Sequence, residues 1–163
     1  WDYVTPGPQG VNTLSILIDG ISRYAAERGF LLDGEGLEVP PRRSARPDSQ
    51  VVQDFIRESL ARDMPVPFLN LSNGGLFNLD SWHWTLIVGL FCHDCVVPSE
   101  EAGPGMTIAV QDAEATGPAQ PMTGAWQVLL LDSGSLKLVD LARWLPATRL
   151  GGGFVTFRRR TED

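Results

Sequence analysis

Apolar side chains recur at helical spacing in two stretches of this chain. In "TLSILIDGISRYAAERG" (residues 13–29), Leu14, Leu17, Ile18, Ile21, Tyr24 and Ala25 fall three and four residues apart, the period of one helix face. Asn12 or Thr13 can cap the start of that helix and Gly29 can end it. In "SQVVQDFIRESLARD" (49–63), Val51, Val52, Phe55, Ile56 and Leu60 form a second stripe, with Asp48 or Ser49 as the cap. Residues 31–49 between them carry Gly, Pro, Arg and Asp and few apolar side chains, which predicts a long loop. Residues 1–12, rich in Pro and Gly, predict an extended lead-in.

After the second helix the period changes. "PVPFLNLS" (65–72), "WHWTLIVGLF" (82–91), "MTIAVQD" (106–112) and "AWQVLLLDS" (125–133) are short apolar runs bounded by turn residues, and they predict strands. "LKLVDLARWL" (136–145) suits a short helix, or a strand followed by a helix. "GGGFVTFRRR" predicts a last strand. Helices first and strands afterwards make an α+β arrangement. A length of 163 residues suits a single domain over 1–163.

Charge narrows the partners. Thirteen Lys and Arg against twenty Asp and Glu leave a formal charge of −7. A nucleic-acid binder needs a basic face, so nucleic acid is not expected, and an anionic membrane surface is disfavoured for the same reason. Arg158, Arg159 and Arg160 form the one basic run, and Glu162 and Asp163 follow it, as in a solvated tail. No apolar run reaches the roughly 18 residues of a membrane span. With no span and no signal peptide read, the cytosol is the expected compartment, although a start at Trp1 leaves the native beginning open. Peptide or protein is the expected partner class, and the oligomeric state stays open.

Few residues offer chemistry. His83, in "SWHWTLIVGL", stands between two tryptophans at the head of a strand. A histidine there acts as a general base if a carboxylate orients it; otherwise it is a buried ring bonded to backbone. Asp132 ends "WQVLLLD" and Asp112 ends "IAVQD", so either carboxylate could meet it. Asp132 also suits the Asp-Ser-Gly turn that follows. Cys92 and Cys95 enclose His93 and Asp94. One Cys-x-x-Cys pair is half of a structural zinc site, and there is no second pair, so neither metal nor cofactor is expected. Cys92 is about 30 Å from His83 along an extended strand, too far to pair with it. The first turn of the first helix, where amide groups lower a thiol pKa, holds Asn12, Thr13 and Ser15 and no cysteine.

The order of these parts resembles the papain-like fold in its compact bacterial form, the bacteriocin-processing (double-glycine leader) peptidases and their relatives. In that family a Gln precedes a helix bearing the nucleophilic Cys, a later strand opens with His, and a further strand ends in Asp. Gln9 precedes the first helix here, and Ser15 stands six residues on, where the family has its Cys. "HWTLIVGL" is similar to the histidine strand. "LLLDSGSLKLVDLARWLPATRLGGGFVTF" is similar to the Asp strand, short helix and Gly-led last strand, which favours Asp132 over Asp112. The resemblance implies a papain-like fold with the N-terminal helix packed on an antiparallel sheet. It implies a cysteine-peptidase-like domain acting on peptide or amide bonds, with Gln9 as oxyanion donor, Ser15 at the nucleophile position, His83 as base and Asp132 as its orienting acid. Two departures stand out. The Cys is replaced by Ser15 or Thr13, and the 49 residues from His83 to Asp132 exceed the family's interval. The chain is thus expected to be either a peptidase with its nucleophile replaced, a pseudoenzyme, or a non-catalytic peptide- or protein-binding domain of the same fold.

Overall fold

The computed structural model describes residues 10–92 and 126–160. Along the chain these form α1 (Leu14–Ala26), β1 (Leu32–Val39), α2 (Ser49–Leu60), β2 (Val66–Asn70), β3 (His83–Cys92), β4 (Trp126–Asp132), β5 (Ser135–Val139), α3 (Leu141–Ala147) and β6 (Gly152–Arg159). The six strands make one antiparallel sheet in the order β1-β6-β2-β3-β4-β5. The described part of the chain is therefore mixed α+β.

Both helical stripes form helices. Thr13 is the N-cap of α1, its Oγ1 accepting from the Ile16 amide at 3.4 Å. Gly29 follows the helix with φ +77°, a conformation glycine adopts without steric cost. Asp48 occupies the N-cap of α2, though its side chain makes no cap bond. The ambiguous stretch 136–145 resolves as β5 followed by α3, and the expected strand 106–112 lies outside the described residues.

The expected loop 31–49 needs correction. Its first half is β1, paired with β6 along its length from Leu32 opposite Arg159 to Val39 opposite Gly152. Residues Arg43–Ala45 form a 3₁₀ turn. The sequence of β1, "LDGEGLEV", hides a strand because its apolar count is low. Its charges stand on an exposed edge and pair across the ladder, Arg160 with Asp33 and Arg158 with Glu35 at 3.4 Å. Its glycines let α1 approach closely. A Cβ on Gly34 would come within 2.5 Å of Ile18 Cγ2, and one on Gly36 within 3.1 Å of Leu14 Cδ1.

The pleat divides the sheet into two faces. Leu69, Val155 and Phe157 pack with α1 through Leu14, Leu17, Ile18 and Ile21. Val66, Phe68, Ile87, Val128, Leu130 and Phe154 point the other way, toward Val52 and Ile56 of α2 and Leu141, Trp144 and Leu145 of α3. Phe68 stacks on Phe154 with centroids 5.0 Å apart and meets Trp144 edge-on at 4.9 Å. This second, larger core is the floor beneath the candidate site.

Candidate functional site

Three neighbouring strands supply the site. Along β3 the alternation runs His83, Thr85, Ile87, and along β4 Val128, Leu130, Asp132; Ile87, Val128 and Leu130 belong to the α2–α3 core. His83 and Asp132 therefore stand on the same sheet face, at the same end of adjacent strands. Their side chains meet, His83 Nε2 lying 2.8 Å from Asp132 Oδ1. The imidazole is 36% exposed and the carboxylate only 5%. An acid that is buried and a ring that opens to solvent suit an orienting group and a base, in that order.

The turn after β4 builds the acid's surroundings. Ser133 and Gly134 have φ +48° and +84°, the pair of positive values that a tight two-residue hairpin requires. That hairpin brings Lys137 of β5 back across Asp132, with Nζ 2.7 Å from Oδ2. Ser133 Oγ donates to Oδ1 at 3.1 Å. The Lys137 ammonium, then the His83 ring, hold the Asp132 carboxyl down to about 2, against burial, which raises it. Lys137 is raised in turn by its bond to Asp132. Asp80 approaches the other side of the ammonium at 3.9 Å.

The base is positioned from β2 and the loop before β3. Asn70 is opposite His83 in the ladder and fully buried. Its Nδ2 donates to the Asp80 carbonyl, and its Oδ1 accepts from Trp144 Nε1 at 2.9 Å. The loop is thus tied to α3 three residues before the strand opens. Trp82 reaches His83 with φ +58°, a backbone state that a bulky residue adopts only under local constraint. Between His83 and Ile87 the buried Thr85 hydroxyl has no hydrogen-bond partner among the described residues.

Since Nε2 faces a carboxylate, it carries the proton of the neutral ring and donates it. Nδ1 is then the basic nitrogen, and it makes no hydrogen bond to a described residue. The arrangement can take a proton from a hydroxyl, thiol or water presented to Nδ1 while Asp132 stabilises the resulting imidazolium.

The first helix is placed differently from the dyad. Ser15 Oγ shares a hydrogen bond with Thr13 Oγ1 at 3.2 Å and makes none to His83. Helix α1 packs on the sheet face opposite to that of His83. Its link to β3 runs through Trp84, the next residue, whose Nε1 donates to the Val11 carbonyl at 2.6 Å. The structure thus brings His83 and Asp132 together and leaves Ser15 apart from them. Gln9, Asp112, His93 and Cys95 lie outside the described residues. Among the described residues no group of three or more His, Cys, Asp or Glu could hold a metal ion, and no helix is long and apolar enough to cross a membrane. A cavity of about 360 Å³ lies beside Ser72–Gly75 and Arg149, and neither His83 nor Asp132 lines it.

Lys137 and Asn70 are the site residues that sequence reasoning missed. The signal for Lys137 was available: a two-residue Ser-Gly turn pairs residue 135 with 132 and so puts residue 137, across from 130, on the same sheet face one diagonal step from Asp132. Nothing in the local pattern marks Asn70, whose partners come from α3 and a loop.

Comparison with protein-family models, with curated proteins and with solved structures finds no match to this chain.

Proposed function

We propose that the chain is a papain-like peptidase-fold domain that acts on peptide or amide bonds, with His83 as general base and Asp132 as its orienting acid. The observation that carries this reading is the 2.8 Å contact between two side chains 49 residues apart. A buried carboxylate spending one oxygen on an imidazole is the pairing that proton abstraction needs. In this reading Gln9 supplies the oxyanion donor, and Ser15 keeps the nucleophile position by sequence order alone, since its hydroxyl bonds Thr13 and makes no hydrogen bond to His83. A second reading, a non-catalytic peptide-binding domain of the same fold, is favoured by one specific observation: the Ser15 hydroxyl is engaged with Thr13.

Assay of the purified protein on a mixed set of fluorogenic peptide amides separates the two. The enzyme reading expects turnover that His83→Ala lowers by about 10²–10⁴-fold, the usual weight of a positioned base. Loss in Ser15→Ala as well assigns the nucleophile; survival in Ser15→Ala moves that role to another group while keeping the base. Saturable peptide binding without turnover, unchanged in His83→Ala, supports the second reading. Absence of both turnover and binding overturns the two together.

A further inference from the structure

Each oxygen of the Asp132 carboxylate has its own partner. Oδ1 receives His83 Nε2 and Ser133 Oγ, and Oδ2 receives Lys137 Nζ. A carboxylate held at one oxygen swings about its terminal torsion, whose energy profile is broad. Held at both, it presents a fixed edge to the imidazole. Lys137 is well suited to that task. It comes from a neighbouring strand through a tight hairpin, it is two-thirds covered, and its bond is charge-assisted. The charged groups facing it are Asp132 from β4 and Asp80 from the loop before β3.

We infer that Lys137 is a positioning residue of the dyad: by clamping Oδ2 of Asp132 it locks Oδ1 against His83 Nε2 and so fixes the proton of the neutral ring on Nε2, leaving Nδ1 to accept. This inference rests on the reading of His83 and Asp132 as a base–acid pair. It goes beyond that reading by placing control of the reactive nitrogen on a residue that acts through Asp132 and makes no hydrogen bond to the ring.

The test is the tautomer of the neutral His83 ring, read from its nitrogen-15 chemical shifts and assigned with the help of a His93→Gln variant. The wild-type ring is expected almost wholly as the Nε2–H form. Asp132→Ala is expected to relax it to the mixture of an unrestrained imidazole, measured on a short histidine peptide. Lys137→Met is expected to lower the Nε2–H to Nδ1–H ratio by about threefold or more, the weight of a lost hydrogen bond of ordinary strength. Lys137→Arg, which can still bond Oδ2, is expected to restore the wild-type ratio. Relaxation in Asp132→Ala with a wild-type ratio in Lys137→Met overturns the inference and leaves the dyad standing. A wild-type ratio in Asp132→Ala removes the dyad and the inference together. Should Lys137→Met fail to fold, Lys137→Arg decides: a ratio away from wild type sinks the clamp, and an unchanged ratio supports it.

Discussion

Asp132 couples the candidate site to acid stability. Its native carboxyl is held at about 2, while the unfolded chain titrates near 3.8. A group depressed in the native state stabilises it above the unfolded value, and that contribution is lost as pH falls through the native value. The window is therefore about pH 4 down to pH 2, and the contribution at neutral pH is about 2 kcal/mol at most. Lys137, raised in the native state, contributes on the opposite side: its share is present below 10.5 and is lost as pH climbs past its native value. Urea unfolding at pH 2, 3, 4 and 6 should show a steeper loss for wild type than for Asp132→Asn. The exposed Asp33–Arg160 pair titrates in both proteins and serves as an internal control. Identical slopes would mean that the native Asp132 is not held down. At this scale the sequence offered His83 two acids at strand ends, Asp132 and Asp112, and the resemblance favoured Asp132. His83 and Asp132 could each be seen at a strand end, which is where side chains from adjacent strands meet. Lys137 could be seen only by working out the hairpin register from the Ser-Gly turn, because its neighbours in sequence do not mark its role.

The elements meet where glycine permits it. Gly152 has φ +150°, and a Cβ there would run into the Leu69 carbonyl; one on Gly151 would run into that of Val39. Gly151 leads into β6 and Gly152 opens it, in the slot between β1 and β2, where the Leu71 amide also donates to the Gly151 carbonyl at 3.2 Å. Gly152→Ala is expected to cost about 2 kcal/mol or more, through backbone overlap added to an unfavourable φ, with thermal unfolding as the measurement. A loss under 0.5 kcal/mol would show that the slot relaxes easily. Arg46 fastens the same region from the other side, donating to the carbonyls of Pro40, Pro41, Leu145 and Thr148. The periodic elements α1, α2 and β4 were legible because one buried face leaves a regular trace in the chain, and β2, buried on both faces, reads as a short continuous apolar run. Strand β1 was not. It lies at a sheet edge, its outward charges are solvated, and its inward positions are glycines chosen for helix approach rather than for apolarity.

Across the whole molecule the sheet is covered unevenly. Leu130 and Val128 are fully buried against α2 and α3, whereas Leu131, Leu136 and Leu138, on the opposite face of β4 and β5, are 38–62% exposed. Substitutions should register that asymmetry. Leu130→Ala should destabilise by roughly 2–5 kcal/mol and Leu136→Lys by less than about 0.5 kcal/mol, judged by chemical denaturation. A large effect at Leu136 would mean that its face is covered in solution. The α+β class was readable from element order alone. Sheet order was not, because β6 inserts between β1 and β2, and no local pattern announces a long-range insertion.

That insertion also governs when the molecule can assemble. While the ribosome has released only α1, β1, α2 and β2, the two strands on either side of the future slot share no hydrogen bond, and α1 rests on half a platform. The sheet closes only after the segment near residue 152 has emerged, so its formation must wait on some of the most distant pairings in the fold, as in other topologies dominated by non-local contacts. A nascent chain arrested before β6 would thus leave β1 and α1 open to proteases, and they would become resistant once that strand arrives.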